Sequence, residues 1–187
     1  MAVRPIFASF QLSQLRALLG CRKADIIGDI MFNVRASRTI NEALTRQAKE
    51  ITTGLISGQL NHATVDVEEE AFQHVIIAMV QLDKTFKKSE SLFWEEFLNR
   101  AERMSASVRG EANELLEYFF SGRPFVGQSI KTSFVYYGFV TNEEIGTLCE
   151  FIEDNEKKFK KAYEFKDAWD WLLQVEAYGH DLFFFRN

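Results

Sequence analysis

The segment SFVYYGFVTNEEIGTLCEFI, Ser133 to Ile152, leaves the chain little freedom of local structure. Phe134 to Val140 is aromatic and β-branched, the composition that suits a pleated, half-buried surface. Thr141 stands three residues before Glu144, the spacing of a capping box. Its hydroxyl can accept the N3 amide while the Glu carboxylate reaches back to the N-cap amide. Val140 and Ile145 flank the cap as a hydrophobic staple. A strand therefore runs into a helix at Thr141. The unit fixes a fold element and contains no chemistry.

Two other segments have strand composition. Pro5 to Leu12 sets Ile6, Ala8, Phe10 and Leu12 against Phe7, Ser9 and Gln11, with apolar groups on both faces. Asp181 to Arg186, DLFFFR, carries three consecutive Phe, which argues that both its faces are covered. Strands at 5–12, 133–140 and 181–186 bracket a helical middle of about 41–121. The expected class is α+β: a small mixed or antiparallel sheet from the N-terminal, central and C-terminal strands, packed with several amphipathic helices. At 187 residues the chain suits a single domain over 1–187. Its 47% hydrophobic content excludes general disorder, and 18 Phe against 2 Pro implies a core of large rings that must fit one another.

The helices announce themselves by caps and stripes. Ser13 is placed to cap a short helix with Leu15, Leu18 and Leu19, stopped by Gly20. Lys23 to Arg35 carries Ile26, Ile27, Ile30 and Met31 at helical spacing. Asn41 caps a helix to about Ile56 whose stripe is Leu44, Ala48, Ile51 and Leu55. A helix over about 67–83 turns Phe72, Val75, Ile76, Met79 and Val80 inward after an acidic first turn. Ser91 opens another with Phe93, Phe97, Ala101 and Met104, and Ala112 to Ser121 follows, ending at Gly122. Asp167 is expected to cap the last helix, with Trp169, Leu172 and Val175 inward and Gly179 as its stop.

Net charge is −5 and the pI about 5.3, which argues against nucleic acid, since a backbone binder needs a basic face. An acidic surface instead speeds encounter with a basic protein. The N-terminal twenty residues are interrupted by Gln11, Ser13, Gln14 and Arg16, unlike a signal peptide. The longest apolar run, Val75 to Val80, is too short to cross a bilayer. No membrane association and a cytoplasmic location are expected. Cys21 and Cys149 read as small buried hydrophobes in a reducing compartment.

Signals for catalysis are poor. His62, His74 and His180 have no metal-ligand spacing, and neither CxxC nor HExxH occurs, so no metal is expected. No GxSxG and no glycine-rich phosphate loop occurs, and no cofactor is expected. The triplet Glu68–Glu69–Glu70 reads as a solvated first turn because consecutive helical carboxylates diverge.

Two features have more content. Asn142 to Glu156 holds Glu143, Glu144, Glu150, Glu153, Asp154 and Glu156 with no Lys or Arg, and four lysines follow by Lys161. A solvated helix face is the simple account; an acidic docking face for a basic partner is the functional one. Arg123 near Tyr136 and Tyr137 combines residue types enriched at interfaces, although pairing of the Arg with a carboxylate is the simpler role. The candidate partner-binding residues are thus Glu143, Glu150, Glu153, Asp154, Arg123, Tyr136 and Tyr137.

Three segments, FASFQLSQLRALLG, SGRPFVG…YYGFVTNEEIGTLCEFI and LLQVEAYGHDLFFF, resemble those of small uncharacterised bacterial cytosolic single-domain proteins. The shared pattern is a strand leading to a Leu-rich helix, an RP–YYG–EE segment and an apolar C-terminal strand. Small acidic single-domain proteins of this kind are frequently immunity or antitoxin-type partners, so the resemblance implies a protein-binding module that neutralises a basic toxin. One alternative is a small cytosolic enzyme with a pocket near Arg123, Tyr137 and His180. Another is a homo-oligomeric structural or adaptor subunit.

Overall fold

A computed structural model describes residues 5–36, 40–59, 69–123 and 136–186. The strands are β1 Ile6–Phe10, β2 Lys87–Lys88, β3 Tyr136–Val140 and β4 Asp181–Arg186. The helices are α1 Leu12–Leu18, α2 Ala24–Ala36, α3 Glu42–Ser57, α4 Glu69–Val80, α5 Phe93–Ser105, α6 Glu111–Ser121, α7 Asn142–Asp154, α8 Glu156–Phe159 and α9 Phe165–Ala177. The chain is α+β. Its sheet is antiparallel throughout, in the order β2-β1-β4-β3. Residues 133–135 of the expected central strand, His62, and 66–68 lie outside the described residues.

The contacts divide the chain into two compact units, Met1–Phe10 with Lys87–Asn187, and Gln11–Phe86. The first is built on the sheet. Phe7 pairs with Phe184, which pairs with Gly138, and Ser9 pairs with Leu182, which pairs with Val140. Side chains alternate across a strand, so these residues share one face, and Ala8, Phe183 and Phe139 share the other. Both faces are buried, as the run of Phe in β4 requires.

The first face meets α5, α6, α7 and α9 in a core of rings. Phe7 stacks on Trp94 with centroids 4.3 Å apart. Phe97 sits at the centre, with the rings of Phe7, Phe93, Trp94, Phe119 and Phe159 between 5.6 and 6.5 Å away. The buried indole of Trp94 donates to Ser89 Oγ at 2.8 Å, so burial leaves no orphan donor.

The second unit is helical, with α2, α3 and α4 packed on one another through Ile30, Met31, Val34, Leu44, Ile51, Leu55, Ile56, Val75, Ile76 and Met79. Asn41 caps α3 as expected, its side chain accepting the Leu44 N–H at 2.9 Å. Gly58 ends α3 at φ 72°, and a Cβ there would lie 3.4 Å from Gly20 Cα. That close approach lets Gly20 and Arg22 donate backbone N–H groups to Leu55 and Ile56 O at 2.9 and 2.8 Å, satisfying carbonyls at the helix end.

Several boundaries differ from expectation. β1 stops at Phe10 and Leu12 already belongs to α1, where it is buried, so Ser13 lies inside the helix and Gln11 holds the cap position. Ser91 does not occupy the cap of α5, which is Leu92, but its hydroxyl accepts the Phe93 N–H at 3.2 Å. Asp167 lies in the first turn of α9 and the cap is Glu164, at φ 56°. Glu164 is held there because its carboxylate accepts the Leu92 N–H at 2.6 Å, capping α5 from another element. The two-residue β2 carries no strand composition; it is an edge made of lysines, a common way to blunt an edge.

Candidate docking face on α6 and α7

The start of α7 is fixed by the capping box read in the sequence: Thr141 and Glu144 make the reciprocal contacts, and Glu144 accepts the Thr141 N–H at 2.9 Å. Arg123 closes the other side of Glu144 as an ion pair. Its guanidinium lies 4.3 Å from the ring centre of Tyr118 and 4.4 Å from that of Phe139. Burial pushes the Glu144 carboxyl up, but the Thr141 N–H, the Arg123 guanidinium and the Thr141 hydroxyl together hold it below the usual carboxylate range. Arg123 is therefore engaged structurally, the simpler of the two roles the sequence offered.

Gly138 makes that arrangement possible. A Cβ there would fall 2.6 Å from Arg123 N, 2.8 Å from Arg123 O and 2.8 Å from the Phe184 ring. Only glycine admits Arg123 so close to β3, where its N–H donates to Tyr137 O at 3.1 Å.

Beside this anchor, α6 and α7 enclose a groove of about 330 Å³ lined by Glu111, Glu114, Leu115, Tyr118, Glu143, Glu144 and Thr147. Leu115 is buried and forms apolar floor, whereas Glu111, Glu114 and Glu143 are exposed. Glu150 and Asp154 follow Glu143 by seven and eleven residues, which puts them on the same helical stripe. Glu153 is exposed beside it. Among the described residues none of Glu111, Glu114, Glu143, Glu150, Glu153 and Asp154 makes an ion pair. Two of the lysines that follow go elsewhere: Lys160 pairs with Glu156 at 3.7 Å, and Lys158 donates to Asn155 at 3.1 Å.

The remaining sequence candidates are dispersed. Tyr137 is buried at 6% exposure, and burial pushes its phenol pKa up. The Tyr136 backbone lies in β3, and its side chain is outside the described set. His180 is at the opposite end of the strand pair: Tyr137 faces Phe185 and Val140 faces Leu182, so roughly 16 Å separates His180 from Tyr137. Arg123 and Tyr137 are neighbours, and His180 does not join them. The Cys149 thiol is pushed up to about 12 by burial and by Glu176, Glu153 and Glu150, which fits an unreactive packing role. Among the described residues no three His, Cys, Asp or Glu groups could hold a metal ion, and no helix is long and apolar enough to cross a membrane.

A second hollow, of about 540 Å³, lies in the helical unit against Arg22, Ala24, Ile27, Ile56 and Gly58. It brings no acid and base together. Sequence reasoning found the α7 acids from their run without Lys or Arg. It missed Glu111 and Glu114, because nothing local says that α6 lies against α7. No protein family, curated protein or solved structure matches this chain.

Proposed function

We propose that this chain is a protein-binding module that neutralises a basic toxin by direct contact, in the manner of immunity and antitoxin proteins. The observation that carries the reading is the exposed carboxylate stripe Glu143–Glu150–Asp154, with Glu153 beside it and no ion pair among the described residues. Stability explains Glu143, which lies in the favourable first turn of α7, but not the other three. Glu150, Glu153 and Asp154 crowd the C-terminal half of α7, where the helix dipole disfavours anions, and its last turn has no basic residue. Carboxylates kept at the unfavourable end of a helix are well suited to long-range attraction of a cationic partner.

The test begins with recovery of the partner from the native host by affinity capture, followed by binding kinetics. Reversing Glu150, Glu153 and Asp154 to Lys should slow association at least tenfold and leave the thermal midpoint near wild type. Raising salt should slow the wild type likewise, since exposed charges are screened beyond about 10 Å at 0.1 M. A partner whose association rate ignores both changes would remove the stripe from consideration. A captured partner that is not toxic to cells lacking this chain would end the neutralisation reading.

A further inference from the structure

The stripe runs into the α6–α7 groove, and the groove is more selective than the stripe. Its floor is Leu115 and Tyr118, its rim Glu111, Glu114 and Glu143, and Thr147 closes one wall. Resting on the docking reading above, we propose that this groove receives an arginine or lysine side chain from an extended basic segment of the partner protein. The long aliphatic stem of either residue covers apolar surface while its charged head reaches carboxylates.

Three observations favour that occupant. Charge complementarity is direct: the rim acids lack ion pairs among the described residues, and the neighbouring cation Arg123 is already engaged by Glu144. The carboxylates surround an apolar floor instead of converging on a point, and among the described residues no three of them are placed to hold a metal ion. A cation on a long stem fits where a bare ion does not. The acids also continue beyond the groove: Asp154 lies eleven residues past Glu143, about 16 Å along the helix. An extended chain covers that distance in about five residues, so one side chain can fill the groove while its neighbours meet Glu150 and Asp154.

The experiment titrates a hexa-arginine peptide, with hexa-glutamate as control, into the full isotope-labelled chain in 0.1 M salt, following backbone amide shifts. The groove predicts the largest shifts at Leu115, Tyr118 and Thr147. Thr147→Trp fills the groove without changing charge and should weaken the peptide at least tenfold while keeping the thermal midpoint. Glu114→Gln with Glu143→Gln provides an independent variant and should weaken it comparably. If Thr147→Trp binds as tightly as wild type and the shifts spread evenly along α7, the groove is overturned while the docking stripe survives. If the stripe reversal slows the toxic partner but Thr147→Trp does not change its affinity, the groove is again overturned and the stripe again survives. Spermidine binding in the groove as tightly as the peptide would make it a polyamine site and overturn the proposal. Self-association of the wild type that Thr147→Trp abolishes would assign the groove to a second copy, with the same consequence.

Discussion

The sheet-containing unit and the helical unit solve the burial problem with different materials. The first locks rings edge to face: around Phe97 the planes of Phe7, Trp94 and Phe119 stand at 90°, 81° and 84° to it. The second fills its interior mainly with branched aliphatics and methionine, such as Ile30, Met31, Ile56, Ile76 and Met79, with the ring of Phe72 among them. Rings bury more area per residue but fit in few orientations, whereas methionine and aliphatics repack. The ring-packed unit also carries the candidate docking face, and α7 owes its position to that core through Ile145, Leu148 and Ile152.

The largest test of the contrast is Phe97→Ala. It removes a fully buried ring touching five others and should cost about 3–5 kcal/mol. The corresponding truncation in the helical unit, Ile56→Ala, deletes three carbons where Phe97→Ala deletes six, and should cost about 2–5 kcal/mol. Denaturant midpoints with unchanged slopes would check both. If the shape-changing swap Phe97→Leu costs no more than Ile56→Leu, the aromatic core is no more specific than the aliphatic one.

Next comes polar locking, which the helical unit does with one carboxylate. Asp83 is buried, accepts the Gln11 N–H, and accepts the Thr85 N–H and hydroxyl at 2.7 Å each. It thereby ties the first residue of that unit to its last turn. Asp83→Ala leaves three half-buried donors without their carboxylate and should cost about 3 kcal/mol by equilibrium unfolding, since hydrogen bonds to charged groups are worth about 1.5–3 kcal/mol each and half-exposed donors regain water. In the sheet unit the comparable device is the capping box. Thr141→Ala should cost about 1 kcal/mol, the usual loss for an N-cap side chain. An unchanged midpoint would mean that Arg123 alone holds Glu144.

These two locks differ in how they show in a sequence. Thr141 and Glu144 lie three residues apart, so the spacing is visible, as are the Asn41 cap and the three Phe of β4. Asp83 bonds to a residue 72 positions away, and Glu164 caps α5 across the same separation. No local pattern marks either one. β2 was invisible because its partner, β1, makes it a strand, not its own two lysines. The candidate site divides the same way: the α7 stripe is written in one run of residues, while its groove exists only because α6 packs beside it.

The smallest expected effects are in pH, and they separate the two units by sign and window. His74 in the helical unit is held below its usual value by burial, with Glu70 opposing. The native state then binds fewer protons than the unfolded chain, so stability is full above about pH 6.5 and falls as pH drops through the native value. Glu144 in the sheet unit is also held low, so its contribution is full above about pH 4.5 and falls only as pH drops further. Acidification should therefore weaken the helical unit first. Unfolding midpoints at pH 7.5, 5.5 and 4 measure this, with His74→Gln flattening the first step and Glu144→Gln, which keeps the cap's shape, flattening the second. If His74→Gln leaves the loss between pH 7.5 and 5.5 unchanged, burial of that imidazole is not what makes the helical unit acid-sensitive.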